Sequence, residues 1–238
     1  MKVDLLFNTP LWVCAKGIRK CWASEDKSDT ISNIRDFIDT DTDEQFLYTD
    51  IITGPKDKAL IDRIGNKNKH SSVLRHLTYN FDISGMSTKT LLAFTRHKAG
   101  VDFSVQSTRY TTSKRADELE FTQTPDSLVN DDSDVIMQII QTAILRGGSD
   151  DDIAMLLPQS YQYSAVVTMN AQAIQHFLML RTAKSAHYDI RLLASTLYDA
   201  LPLDHKYLFR HCISGSEENI QYRRDEAAKL LKGLPNVD

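Results

Sequence analysis

The chain has 238 residues, 28 Lys plus Arg against 32 Asp plus Glu, and a formal charge of -4, with 42% hydrophobic and 25% charged residues. That length can bury a core without disulfide or metal staples. The acidic balance excludes a global basic field, so any phosphate or nucleic-acid binding must come from a local cluster of Lys and Arg. No run approaches the ~18 consecutive apolar residues of a membrane span. The amino terminus lacks the pattern of a signal peptide. Three cysteines, Cys14, Cys21 and Cys212, are an odd number with no Cys-x-x-Cys pair. They read as buried structural thiols in a reducing, cytoplasmic setting, and no metal site is expected.

In chain order, two apolar stretches flank Asn8-Thr9-Pro10 and predict a strand, a turn and the start of a helix. Residues 25–50 carry nine carboxylates against Lys27 and Arg35 and predict a solvated excursion with a short helix at 31–38. A second short helix is predicted over 56–64, with Gly65 as a left-handed C-cap. The alternation over 78–84 suits a half-buried strand, and 87–95 another short helix. Residues 102–112 read as a loop running into an extended segment. The acidic stretch 126–134 is placed to cap a helix over 135–146, where Ile136, Ile139, Ile140, Ala143 and Ile144 follow helical spacing and Gly147-Gly148 ends it. A strand is predicted over 163–169. Asn170 then opens what reads as the longest helix, with Ile174, Phe177, Leu178, Ile190, Leu193 and Leu197 as its apolar stripe and Pro202 as its stop. Residues 217–231 form a last amphipathic stretch. The class is α+β, with helices packed around a small antiparallel sheet.

Two segments carry candidate chemistry. Thr95-Arg96-His97-Lys98, followed by Phe103 to Tyr110 with Gln106, Ser107, Thr108 and Arg109, joins cations to a hydroxyl-rich turn. Such a set offers charge-assisted donors to a phosphate and fixed donors to a heterocycle. It also reads as a solvated loop. Residues 169–186 place Asn170, Gln172 and His176 near a helix start, with Arg181 further along. Taken one at a time, Asn170 is an N-cap, His176 a satisfied histidine, and Arg181 or Lys184 part of a wet helix face.

Together the two segments resemble the signature regions of the flavin-dependent thymidylate synthases. The family's Arg-His-Arg triplet and its later Ser-x-Arg-Tyr are matched by Arg96-His97-Lys98 and Ser107-Thr108-Arg109-Tyr110. Asn-Ala-Arg, Phe-Leu-x-Leu-Arg and Ala-x-x-x-Ile-Arg are matched by Asn170-Ala171-Gln172, 177–181 ending at Arg181, and 186–191 ending at Arg191. His70-Ser71-Ser72-Val73-Leu74-Arg75-His76 resembles the family's His-x-(Ser/Thr)-x-x-Glu-His element. The likeness covers a catalytic region, 1–212, and leaves 213–238 as a helical tail.

The resemblance implies an enzyme that makes dTMP from dUMP with FAD, taking reducing equivalents from NADPH and a one-carbon unit from methylenetetrahydrofolate. It implies that Arg96, His97 and Lys98 border the flavin, Arg96 also touching the nucleotide. It places Ser72, Asn170, Gln172 and His176 as further FAD contacts and His70 at the flavin and folate face. Gln106, Ser107, Thr108 and Arg109 line the nucleotide site, with Ser107 orienting dUMP rather than attacking it. Arg181 faces the uracil and stabilises charge as the ring becomes nucleophilic. A homotetramer with active sites shared between subunits is implied too.

The chain departs from the pattern at named places. Eight residues separate Lys98 from Ser107, one more than in the family, and Lys98 lacks a guanidinium fork. Gln172 stands for Arg and Arg75 for Glu. No cation precedes Leu157-Pro158, where Ala154 or Met155 takes the place of a nucleotide-binding Arg or Lys. That loss implies weaker dUMP binding, compensation elsewhere, or another pyrimidine nucleotide, with a hydroxymethylated product as the alternative to a methylated one. A non-catalytic nucleotide or nucleic-acid binder, with Phe103 and Tyr110 as stacking surfaces, is the reading from another class; the acidic balance argues against it.

Overall fold

Tyr79, Phe81 and Ile83 alternate with Asn80, Asp82 and Ser84, and this period of two buries all three apolar side chains completely on one face of a strand. In the computed structural model, which describes residues 1–38 and 45–232, that strand, β4 (Thr78–Ser87), lies inside a four-stranded antiparallel sheet. The order is β1 (Lys2–Asn8), β4, β6 (Gln162–Asn170) and β5 (Val101–Val105). Phe81 stands opposite Val167, and Val101 opposite Met169.

Helices α1 (Leu11–Cys21), α3 (Thr88–Phe94), α7 (Ala171–Arg181) and α8 (Tyr188–Ala200) contribute Ile18, Phe94, Ile174, Phe177, Leu193 and Leu197 to the same core as the sheet. Phe177 is fully buried, and its ring packs obliquely on that of Phe94, with centroids 4.8 Å apart. Truncating it to Ala would cost about 3–5 kcal/mol. A second small core of Leu119, Phe121, Ile140, Ile153 and Tyr161 lies under α5 (Ser127–Leu145) and α6 (Asp150–Ala154).

Several local expectations are corrected. Residues 31–38 are not a helix but strand β2 (Ile31–Ile38), paired antiparallel with β3 (Gln45–Ile52), because both segments are rich in β-branched and aromatic residues that pair across strands. After α2 (Pro55–Ile61) the chain widens into a π-helical turn, Asp62–Lys67. Gly65 sits inside that turn and not at a left-handed cap. A Cβ there would come within 2.7 Å of the Leu74 side chain, so the glycine serves close packing. The predicted loop after residue 102 is strand β5, and 108–111 is the helical turn α4 (Thr108–Thr111). Helix α5 starts at Ser127, with the Asp126 carboxylate accepting from the Leu128 N–H, well before the expected start at 135. At 19 residues α5 is the longest helix described, because the stripe after Asn170 divides into α7 and α8.

Cys14 and Cys212 are buried, and burial alone pushes the Cys14 thiol up to about 12 and Cys212 also upward. Cys21, expected inside, is exposed. Helix α9 (Glu217–Lys232) packs on the chain beside His211: the Asn219 side chain donates to the His211 carbonyl at 2.7 Å, and Lys69 pairs with Glu226. Among the described residues no helix is long and apolar enough to cross a membrane.

Candidate active site

Strand β6 ends at Asn170, whose side-chain oxygen accepts from the Ala173 N–H at 2.9 Å and so starts α7. That cap fixes the helix phase, so Gln172, His176 and Leu180, four apart, share one face. On the neighbouring side, α3 ends at Phe94 and leads through Arg96-His97-Lys98 to Gly100, where φ of +74° turns the chain into β5. The Asn170 N–H donates to the Gly100 carbonyl at 3.1 Å, binding the two segments together.

Between them lies an open cavity of about 800 Å³, lined by Arg75, Arg96, His97, Lys98, Ala99, Val101, Gln172, Ala173, His176, Leu180 and Arg181. Four of these are permanent cations, Arg75, Arg96, Lys98 and Arg181, and none of the described lining residues is Asp or Glu. A cleft of similar size beneath α9, about 750 Å³, mixes Lys67 and Arg210 with Asp62, Glu218, Asp225 and Glu226 and has no such bias. A concave site with four unbalanced cations selects an anionic ligand carrying more than one charge.

His97 organises the inner wall. Its ring is buried and stands edge-on to His176 at 5.6 Å and to Phe177 at 5.2 Å. Arg181 donates from Nε to His97 Nε2 at 3.0 Å and from a terminal nitrogen to the Ala93 carbonyl at 3.3 Å. Burial, then the charges of Arg181, His176 and Arg96, lower the His97 pKa to about 4. The ring is therefore neutral at pH 7, and its bare Nε2 is the acceptor that Arg181 requires. Burial, then Arg96, also shift Arg181 downward, but a guanidinium keeps its charge at any working pH.

The predicted site residues fall into groups. Arg96, His97, Lys98, Gln172, His176 and Arg181 meet around the cavity. Asn170 is the helix cap described above. His70 and Ser72 belong to the adjacent turn, His70 leading into the 3-10 turn Ser71–His76, and both are exposed outside the lining. Gln106, Ser107, Thr108 and Arg109 do not join them. They follow the far end of β5, Val105 lying four residues beyond Val101, about 13 Å along an extended strand. There Arg109 is held by Asp151 through contacts of 2.8 and 3.2 Å.

Arg75 is the charged lining residue that sequence reasoning left out of the site, beside the apolar Ala99, Val101, Ala173 and Leu180, although its signal was present as a departure from the His-x-(Ser/Thr)-x-x-Glu-His pattern. It donates from Nε to Gln172 Oε1 at 2.6 Å, and Gln172 Nε2 donates to Ser71 Oγ at 2.7 Å.

Residues 5–202 match the profile of the family described as thymidylate synthase complementing protein. The chain is 39% identical over 221 residues to the flavin-dependent thymidylate synthase of Wolinella succinogenes, covering 88% of this chain and 97% of that protein. With the enzyme of the same name from Campylobacter jejuni it shares 36% over 225 residues, covering 90% and 98%. Its fold is similar to the crystal structure of thymidylate synthase X from Helicobacter pylori with FAD and dUMP, at a TM-score of 0.75 and 31% identity over 90% of this chain and 100% of that one. Arg96, His97, Lys98, Gln172, His176 and Arg181 of the signature segments meet around one cation-lined cavity, and the likeness spans most of the chain: the protein belongs to the flavin-dependent thymidylate synthases.

Proposed function

We propose that the protein converts dUMP to dTMP with FAD held at the cationic cavity, methylenetetrahydrofolate as one-carbon donor and NADPH as reductant. The observation that carries this is the convergence of Arg75, Arg96, Lys98 and Arg181 on a cavity with no acidic lining among the described residues. The donors present fit the group. The cations answer the two charges of a pyrophosphate, while Val101, Ala173 and Leu180 offer an apolar wall to a ring.

A bound flavin supplies the hydride chemistry, and the protein positions and polarises. Arg181, braced by His97 and the Ala93 carbonyl, presents a fixed positive charge to the uracil as negative charge develops on it. His97 holds that brace as a neutral acceptor. Arg96, Lys98, His176, Gln172, Asn170, Ser72 and His70 border the cofactor. Gln106, Ser107, Thr108 and Arg109 bind the nucleotide with backbone and side-chain donors. Because these lie away from the cavity within one chain, we assign them to a site completed by a neighbouring subunit of a homotetramer.

A second reading, action on another pyrimidine nucleotide or release of a hydroxymethyl product, is favoured by one observation. Ala154 and Met155 bring no cation before Leu157-Pro158, and Asp151 in the same segment already engages Arg109.

The purified protein is expected to be yellow with an oxidised-flavin spectrum. A colourless preparation that takes up no added FAD overturns the proposal. Product analysis after incubation with dUMP, NADPH and methylenetetrahydrofolate should give dTMP; hydroxymethyl-dUMP, or turnover only with another nucleotide, moves the assignment to the second reading.

A further inference from the structure

Two of the departures from the family pattern are one arrangement in three dimensions. Arg75, where the pattern has an acid, and Gln172, where it has Arg, are 97 residues apart in sequence and share a 2.6 Å hydrogen bond at the mouth of the cavity. The charge has crossed the contact, from the first turn of α7 to the turn Ser71–His76. Neither residue is accidental in its pose. Gln172 is fixed at both ends, its oxygen accepting from Arg75 Nε and its nitrogen donating to Ser71 Oγ at 2.7 Å. With Nε so held, the guanidinium plane is set, and no partner of its two terminal nitrogens occurs among the described residues. A guanidinium anchored through Nε presents a two-pronged donor that matches two oxygens of one phosphate.

We infer that Arg75 binds a phosphate group of the flavin dinucleotide, and that Gln172 is the positioning residue that aims it. The inference rests on the flavin reading above. The pyrophosphate is preferred over the dUMP phosphate because Arg75 stands with Gln172 at this cavity, whereas Gln106 to Arg109 lie beyond the far end of β5.

Equilibrium binding of FAD, riboflavin and dUMP, followed by flavin fluorescence and by filtration, tests it on the full chain. Arg75→Gln should weaken FAD about ten-fold, the loss of one charge-assisted contact, flatten the salt dependence of FAD binding, and leave riboflavin and dUMP affinities unchanged. Arg75→Glu should weaken FAD further. The exchanged pair, Arg75→Glu with Gln172→Arg, should return FAD affinity to within about three-fold of the wild type, because the cation is restored across the same contact. Arg75 is exposed, so thermal melting should show every variant folded. A wild type that binds FAD beside an Arg75→Gln variant of equal affinity overturns this inference alone. So does a change confined to dUMP, an equal loss of riboflavin, or an exchanged pair no tighter than Arg75→Glu. A wild type that takes up no FAD overturns the flavin reading and this inference with it.

Discussion

A buried histidine beside a guanidinium and a second histidine cannot easily carry a proton, and the pKa of about 4 for His97 says how far the balance has moved. The ordinary value is 6.5, so between those pH values the unfolded chain takes up a proton that the native state refuses. The His97 contribution to stability is therefore full above about pH 6.5 and is lost as pH falls toward about 4. Urea midpoints should drop over that range, and His97→Gln, which keeps a neutral acceptor, should reduce the drop. His205 and His211, also lowered by burial, add to the drop in the same direction. An unchanged pH slope in the variant would remove His97 from this role. Arg181 depends on the same contact. Arg181→Ala should retain bound flavin and fold while turnover falls by roughly 10²–10³, the scale of losing one preorganised electrostatic donor; full activity would remove Arg181 from the chemistry. Both residues were legible in the sequence because they sit in contiguous signatures. Arg75 was visible only as a departure from its signature, because its significance lies in a contact with Gln172 on another element.

Elements defined by their own residues were legible; those defined by distant partners were not. The Asn170 cap and the strands β4 and β6 follow from local pattern, and the cap starts the helix that brings Gln172, His176 and Arg181 to the cavity. The break between α7 and α8 has no proline or glycine to announce it. It is fixed by the Thr182 hydroxyl, which donates to the Leu178 carbonyl at 2.7 Å and accepts from the Ser214 N–H at 2.9 Å, a partner 32 residues away. Strand β5 is made by pairing with the distant strand β6, Val105 standing opposite Ala165, and its start depends on Gly100. A Cβ at Gly100 would run into the Asn170 side chain, and its φ of +74° disfavours any other residue. Gly100→Ala should cost about 1–3 kcal/mol, and Asn170→Ala about 1 kcal/mol from the lost cap. Since the two share a contact, the double variant should lose less than the sum in urea unfolding. Strict additivity would mean that β5 and α7 are not joined through this contact.

The whole chain shows an apolar helix face that a solitary subunit has little reason to keep. Along α5, Leu128 is 73% exposed, Val135 54%, Ile139 57% and Leu145 86%, and Met155 beyond it is 86% exposed. Exposed apolar side chains of this kind fit the subunit interface proposed above, and the separation of Arg181 from the Gln106 to Arg109 turn gives that interface something to do. If the nucleotide residues of one subunit complete the cavity of another, the protein in solution should scatter light with four times the mass of the chain. Asp at both Ile136 and Ile139 should reduce that mass and abolish turnover while the far-ultraviolet circular dichroism of the helices survives. The sharper experiment mixes two inactive variants. Arg109→Ala and Arg181→Ala damage different parts of a shared site, so mixed tetramers contain some sites with both arginines intact and others with neither. Activity should reappear after dissociation and reassembly of the mixture, toward about one quarter of the wild-type rate per site for random pairing across one interface. A fully active single chain, or a mixture that stays dead although mixed tetramers form, would mean that each subunit builds its site alone.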